Sequence, residues 1–178
     1  MYRFFNTILR GKNKLLLQKI IYFLSGFLKS LNIIENHQLK NNCILYHGIN
    51  LKDFSELNFF KKNIDKFICI KSIISSFPDK YQQFTNVLFV INYKYNGNCL
   101  SNCFDISDIF PYPSAKEYLF KPFSFFKIID VKINEQERKA EICLNYIGKS
   151  KDFETNLDLL NQGKNIQYSI NRNCLEII

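Results

Sequence analysis

Residues 110–128 hold a single acidic side chain, Glu117, set between a proline-braced turn and a strongly apolar run. The turn is Phe110-Pro111-Tyr112-Pro113 and the run is Tyr118-Leu119-Phe120. A carboxylate fixed at a strand entrance is suited to stabilising positive charge held in front of it. Two further segments carry groups that could share such a site. Leu45-Tyr46-His47-Gly48 places an imidazole at a strand end, and Lys71-Ser72-Ile73-Ile74-Ser75-Ser76-Phe77 supplies hydroxyls. Together the three segments point to the breaking of a glycosidic bond. The transition state of that reaction puts oxocarbenium-like positive character on a sugar and calls for a carboxylate beside it. Each group also has an ordinary structural reading. Glu117 can be a solvated turn residue, His47 a plain strand-end histidine, and Ser75 one of the serines common at strand ends.

The elements that must position these groups can be read from periodicity. Residues 13–32 have helical spacing, with Leu16, Ile20, Phe23, Leu24, Phe27, Leu28 and Leu31 on one apolar stripe. Residues 2–10 read as the end of an earlier helix, which implies a truncated N-terminus. From residue 43 the pattern changes to short strands. Cys43–Tyr46, Phe67–Ile70 and Val87–Ile91 are apolar runs rich in β-formers. Tyr93–Cys103 contains Asn-Gly-Asn and reads as a turn-rich loop, with Asp105–Ile109 as one short turn. Tyr118–Phe120, Phe125–Ile133 and Ala140–Tyr146 are further strands, the last two forming a hairpin across the polar segment Asn134–Lys139. Asn165–Ile178 reads as a final strand and tail. The class is α+β, a helix followed by an antiparallel-rich sheet. The divisions are a helical segment over 1–42, a core over 43–147 and a C-terminal extension over 148–178.

Composition narrows the function classes. At 178 residues and 47% apolar content the chain can bury a core as one domain. The net charge of +8 favours anionic partners. The basic residues are scattered, however, with no run of five or six and no nucleic-acid motif, so a solvated basic surface is expected rather than a nucleic-acid partner. Six cysteines form no Cys-x2-Cys pair, and Cys99-x3-Cys103 lacks the second pair or histidines that a zinc site needs. No metal is implied; free thiols are expected, with a Cys99–Cys103 disulfide left open. The apolar run Ile20–Leu28 is too short to span a bilayer, which takes about 20 residues. A soluble, intracellular monomer without a membrane span is therefore the expectation.

The order Tyr46-His47-Gly48, then Ser75-Ser76, then Lys116-Glu117-Tyr118-Leu119-Phe120 resembles the mono-ADP-ribosyltransferase family, in particular its arginine-specific, R-S-E branch. That family carries a Tyr-Arg-Gly strand, a Ser-Thr-Ser strand and a Glu-x-Glu turn leading to Val-Leu-Phe. The similarity covers roughly residues 2–133. It implies a split, antiparallel-rich β-sandwich with an NAD cleft between two small sheets. It also implies transfer of ADP-ribose from NAD, consumed as substrate, to an acceptor protein with release of nicotinamide. On this resemblance Glu117 stabilises the transition state, Ser75 orients it, and His47 holds the ribose. Tyr46, His47, Gly48 and Ser75 bind NAD. Phe77 and Tyr112 could stack on nicotinamide, although core packing is their ordinary role.

The motif set departs from the family at three positions. His47 stands where the family has arginine, and an imidazole with an ordinary pKa of about 6.5 lacks the permanent forked charge of a guanidinium. A His-Gly at this place resembles the poly-ADP-ribosyltransferase branch. Phe77 replaces the third residue of Ser-Thr-Ser, and Ala115 replaces the first glutamate of Glu-x-Glu. A methyl group can neither accept a hydrogen bond nor carry charge. The acceptor is thus left open between another protein side chain and water, as in an NAD glycohydrolase. A catalytically degenerate binding module is the remaining alternative.

Overall fold

The computed structural model describes residues 37–70, 72–80, 85–95, 103–107, 116–149 and 175–177, together with Tyr22, Gly26, Lys29 and Ser30. Those last four are helical, and the rest of the helix expected over 13–32 lies outside the described residues. So do the proline-braced turn, Tyr112, Ala115, Cys99 and most of the 148–178 extension.

Apart from those four helical residues, the described chain is mostly β-structure with one short α-helix. Its strands are β1 (Cys43–Ile49), β2 (Phe67–Ile70), β3 (Ile74–Ser76), β4 (Val87–Tyr93) and β5 (Cys103–Asp105). They continue with β6 (Tyr118–Phe120), β7 (Ser124–Asn134), β8 (Lys139–Lys149) and β9 (Leu175–Ile177). The helix, α1 (Leu57–Lys62), follows a 3-10 turn whose cap is Asp53, accepting the Ser55 N–H at 2.8 Å. It turns Leu57 and Phe60 into the core. The short stretch from which it forms gave no clear sequence signal, because one helical turn and a half is too brief to establish a period.

Six strands form one sheet in the order β1-β4-β8-β7-β2-β9, and three form another in the order β3-β6-β5. Pairing is antiparallel except for β4 with β8 and β2 with β9. The expected hairpin is β7–β8, closed by a turn over residues 135–138 in which Arg138 takes a left-handed φ of 50°. The segment read as loop and turn instead contains β5, with a turn at Ser107, two residues beyond its end. Three residues opposite a partner strand are too few for a pattern to declare itself.

The two sheets share a ribbon. β2 runs into β3 as β6 runs into β7, and the antiparallel register Ile70↔Ser124 continues without slip to Ile74↔Phe120. At the bend Phe123 adopts φ 61° and donates its N–H to the Ile70 carbonyl at 2.9 Å. The buried Ser124 hydroxyl donates to the Lys121 carbonyl at 2.7 Å. A second stitch joins the sheets at their edges. Tyr46 of β1 and Phe77, just past β3, exchange N–H···O bonds of 2.7 and 2.9 Å.

The core lies on the inner face of the large sheet. Leu45, Val87, Phe89, Ile91, Ile142 and Leu144 are among its members, joined by Ile74 and Phe120 from the small sheet. Phe120 meets the rings of Tyr93, Phe126 and Tyr146 at centroid distances of 6.3, 5.6 and 5.2 Å, within the range of favourable aromatic pairs. Truncation of Phe120 to alanine is expected to cost about 3–5 kcal/mol of stability, read as a lower urea midpoint.

Burial also acts on ionisable groups. The Cys43 thiol is pushed up from an ordinary 9.0 to about 11 by burial. Burial, reinforced by neighbouring negative charge, raises Cys103 and the Tyr118 phenol in the same direction, and burial raises Cys143 against the opposing charge of Lys132. Each folded-state value lies above its unfolded one, so the folded chain holds these protons longer. The resulting stability is present below pH 9 and is lost as pH rises toward 11. Urea midpoints are therefore expected to fall between about pH 8.5 and about pH 10.5, less steeply in Cys43→Ala.

Candidate functional site

Each of the three residues singled out in the sequence sits where the two sheets meet. His47 lies on β1 two residues beyond the fully buried Leu45, on the core-facing side, and stacks on Phe89 of β4 (centroids 6.1 Å apart, planes 26° apart). Ser75 is the middle residue of β3 and Glu117 is the residue before β6. Cross-strand register explains why these last two touch. Ser75 stands opposite Leu119, so Glu117 is its diagonal neighbour on the same face, within reach of a long side chain.

The contacts form a chain. The Ser75 hydroxyl donates to Glu117 Oε1. The Ser75 carbonyl lies 2.6 Å from His47 Nδ1. A carbonyl oxygen can only accept, so Nδ1 carries the proton in this contact, and the neutral ring then has its lone pair at Nε2. Ser75 thus joins the imidazole through its main chain and the carboxylate through its side chain. The edge stitch at Tyr46 and Phe77 brings β1 and β3 close enough for this, one residue before His47 and two beyond Ser75. Gly48 follows on β1 and, like Tyr46 and His47, is half-buried.

Burial differs along the chain of contacts. Glu117 is only 7% exposed, whereas Ser75 and His47 reach the surface in part. A carboxylate in that position needs hydrogen-bond partners within the protein, and the Ser75 hydroxyl is one of them. Ser76 faces the opposite way, is fully buried, and donates to the Tyr118 carbonyl at 3.1 Å. The two adjacent serines therefore have separate duties, one toward Glu117 and one toward the core. Among the described residues no group of three His, Cys, Asp or Glu side chains is placed to hold a metal ion.

The sequence reading placed Asp105 and Ser107 in one short turn and gave neither a part in the site. Ser107 lies against the main chain of Glu117, and Asp105 in turn accepts from Ser107. Ser107 Oγ accepts the Glu117 N–H at 3.2 Å, and the Glu117 carbonyl accepts the Ile106 N–H at 3.0 Å. The available signal was the spacing Asp105-Ile106-Ser107, which suits a carboxylate folding back on its own chain. Among the described residues no helix is long and apolar enough to cross a membrane. Cysteines 43, 69, 103 and 143, the described ones, are in the thiol form.

No family profile matches the chain, and no curated protein matches it in sequence. Solved structures do match in shape. The ADP-ribosyltransferase Vis, a toxin of Vibrio splendidus solved in complex with agmatine, aligns at a TM-score of 0.62 and 16% identity, over 84% of this chain and 70% of that one. An ADP-ribosyltransferase of Clostridium botulinum aligns at 0.53 and 17%, over 68% of this chain and 70% of that one. The ADP-ribosyltransferase HopU1 of Pseudomonas syringae aligns at 0.50 and 20% identity. In that pair the alignment covers 60% of this chain, which spans only 45% of the length of HopU1. A likeness in shape to proteins this distant in sequence bears on the fold alone: the chain has the ADP-ribosyltransferase fold.

Proposed function

We propose that this chain is an NAD-dependent mono-ADP-ribosyltransferase that moves ADP-ribose from NAD to a protein side chain and releases nicotinamide. The observation that carries the reading is the hydrogen-bonded chain His47–Ser75–Glu117 at the junction of two sheets with the ADP-ribosyltransferase fold. In the proposed reaction the bond between nicotinamide nitrogen and ribose C1′ breaks. Its electron pair leaves with nicotinamide, which becomes neutral, and the sugar is left with oxocarbenium character. Glu117 faces that charge and lowers its energy, with Ser75 holding the carboxylate in place. His47 hydrogen-bonds a ribose hydroxyl, and Tyr46 and Gly48 shape the wall beside it. The acceptor's nucleophile then bonds to C1′ and gives up its proton. The net charge of +8 raises the local concentration of an anionic dinucleotide.

Ala115 favours a second reading of the acceptor step. The position that resembles the family's first glutamate holds a methyl group, so it offers nothing to engage an acceptor guanidinium. Water as acceptor makes the protein an NAD glycohydrolase through the same bond cleavage. A fold that binds without catalysis is the remaining outcome.

Nicotinamide release from labelled NAD separates these readings. Glu117→Gln is expected to reduce release by roughly 10²–10³-fold, the usual effect of removing one electrostatic contact to a transition state. Equal rates for this variant and the wild type remove Glu117 from the mechanism. Release without transfer of label to any protein favours the glycohydrolase, and no release at all favours the binding module. His47→Ala is expected to raise KM for NAD roughly tenfold, the equivalent of about 1.4 kcal/mol, with a smaller effect on kcat. An unchanged KM would place His47 outside the NAD site.

A further inference from the structure

Glu117 is held by more than Ser75. β5 ends at Asp105, which pairs with Tyr118 across the small sheet. Asp105 Oδ1 accepts the Ser107 N–H at 3.0 Å and the Ser107 hydroxyl at 2.5 Å. The hydroxyl proton is thereby directed at Asp105, and the hydroxyl oxygen presents its lone pairs elsewhere. The Glu117 N–H donates to that oxygen at 3.2 Å. From the same short segment the Ile106 N–H donates to the Glu117 carbonyl at 3.0 Å. Both peptide groups of Glu117 are thus tied to Ile106 and Ser107. Ser107 is buried, so water does not readily replace its bond to the Glu117 amide.

We propose that Ser107, oriented by Asp105, is a positioning residue for Glu117. It fixes the main chain from which the carboxylate is presented and touches no substrate itself. The inference rests on the reading of Glu117 as the group that faces the sugar. Its physical basis is leverage. The carboxylate sits at the end of three side-chain torsions, so a small tilt of the Glu117 peptide displaces its oxygens by much more. A displacement of about 1 Å at a catalytic group can cost up to about 100-fold in rate. The Ser75 hydroxyl restrains the far end of that side chain and Ser107 restrains its root.

The test compares nicotinamide release by the wild type, Ser107→Ala, Ser107→Thr and Asp105→Ala, with a thermal midpoint for each. Ser107→Ala is expected to lower kcat by about 10- to 100-fold while leaving KM for NAD nearly unchanged. Ser107→Thr keeps the hydroxyl and is expected to restore most of kcat. Asp105→Ala is expected to act in the same direction and carries the test if Ser107→Ala does not fold. Wild-type kcat in folded Ser107→Ala, or a loss that threonine does not restore, overturns the proposal. Amide hydrogen exchange at Glu117 keeps this result apart from the functional reading. If even the wild type releases no nicotinamide, the transferase reading falls. The positioning claim is then read from exchange alone: faster exchange of the Glu117 amide in Ser107→Ala supports it, and unchanged exchange overturns it.

Discussion

A carboxylate with little access to water has to find its hydrogen bonds inside the protein, and the arrangement around Glu117 follows from that need. Left without partners, such a group would cost several kcal/mol. The Ser75 hydroxyl meets the need from the neighbouring strand, and Ser75 in turn offers its carbonyl to His47. One residue with two hydrogen-bonding groups therefore fixes two side chains that lie 70 positions apart in sequence. The imidazole is held from one side by Ser75 and from below by the ring of Phe89. Its orientation is a consequence of packing as well as of hydrogen bonding.

That arrangement depends on register, and register depends on the core. A slip of one residue between β3 and β6 would turn Ser76 toward Glu117 and Ser75 into the interior. Phe120 resists such a slip. It lies three residues beyond Glu117, is fully buried, and lodges among Tyr93, Phe126 and Tyr146. Because the register continues unbroken around the bend into β2 and β7, the large sheet and the small sheet specify it jointly. The backbone strain of Phe123 at φ 61° sits at that bend, where a chain turning from one sheet to the other leaves few alternatives. Site geometry and core packing are in this sense two faces of one ribbon.

The edge stitch between Tyr46 and Phe77 adds a second constraint of a different kind. It is made of main-chain bonds alone, so it tolerates a change of side chain at either position. Phe77 occupies the place that resembles the third residue of Ser-Thr-Ser in the mono-ADP-ribosyltransferase family. Its main chain joins the two sheets whatever its side chain offers. By contrast, the bond from Ser75 to the Glu117 carboxylate and the one from the Glu117 amide to Ser107 require a hydroxyl, and there the side chain cannot be changed so freely.

Much of this protein was legible in its sequence. The runs at 43–46, 67–70, 87–91 and 118–120, and the hairpin over 125–146, declare themselves through β-branched and aromatic residues, because strand formation follows from local composition and period. The three segments bearing His47, Ser75 and Glu117 could be named from their residue types and order. Other features could not be read this way: the parallel pairing of β4 with β8, the short strand β5, the helix α1, the unbroken ribbon, and the hold of Asp105 and Ser107 on Glu117. A hydrogen bond between strands leaves no mark in the sequence near either partner, since the same serine or aspartate serves equally well in a solvated turn. Sequence determined which groups were available and which segments would extend. Only tertiary structure decided which hydroxyl meets which carboxylate, because that choice belongs to the register of strands brought together by the core.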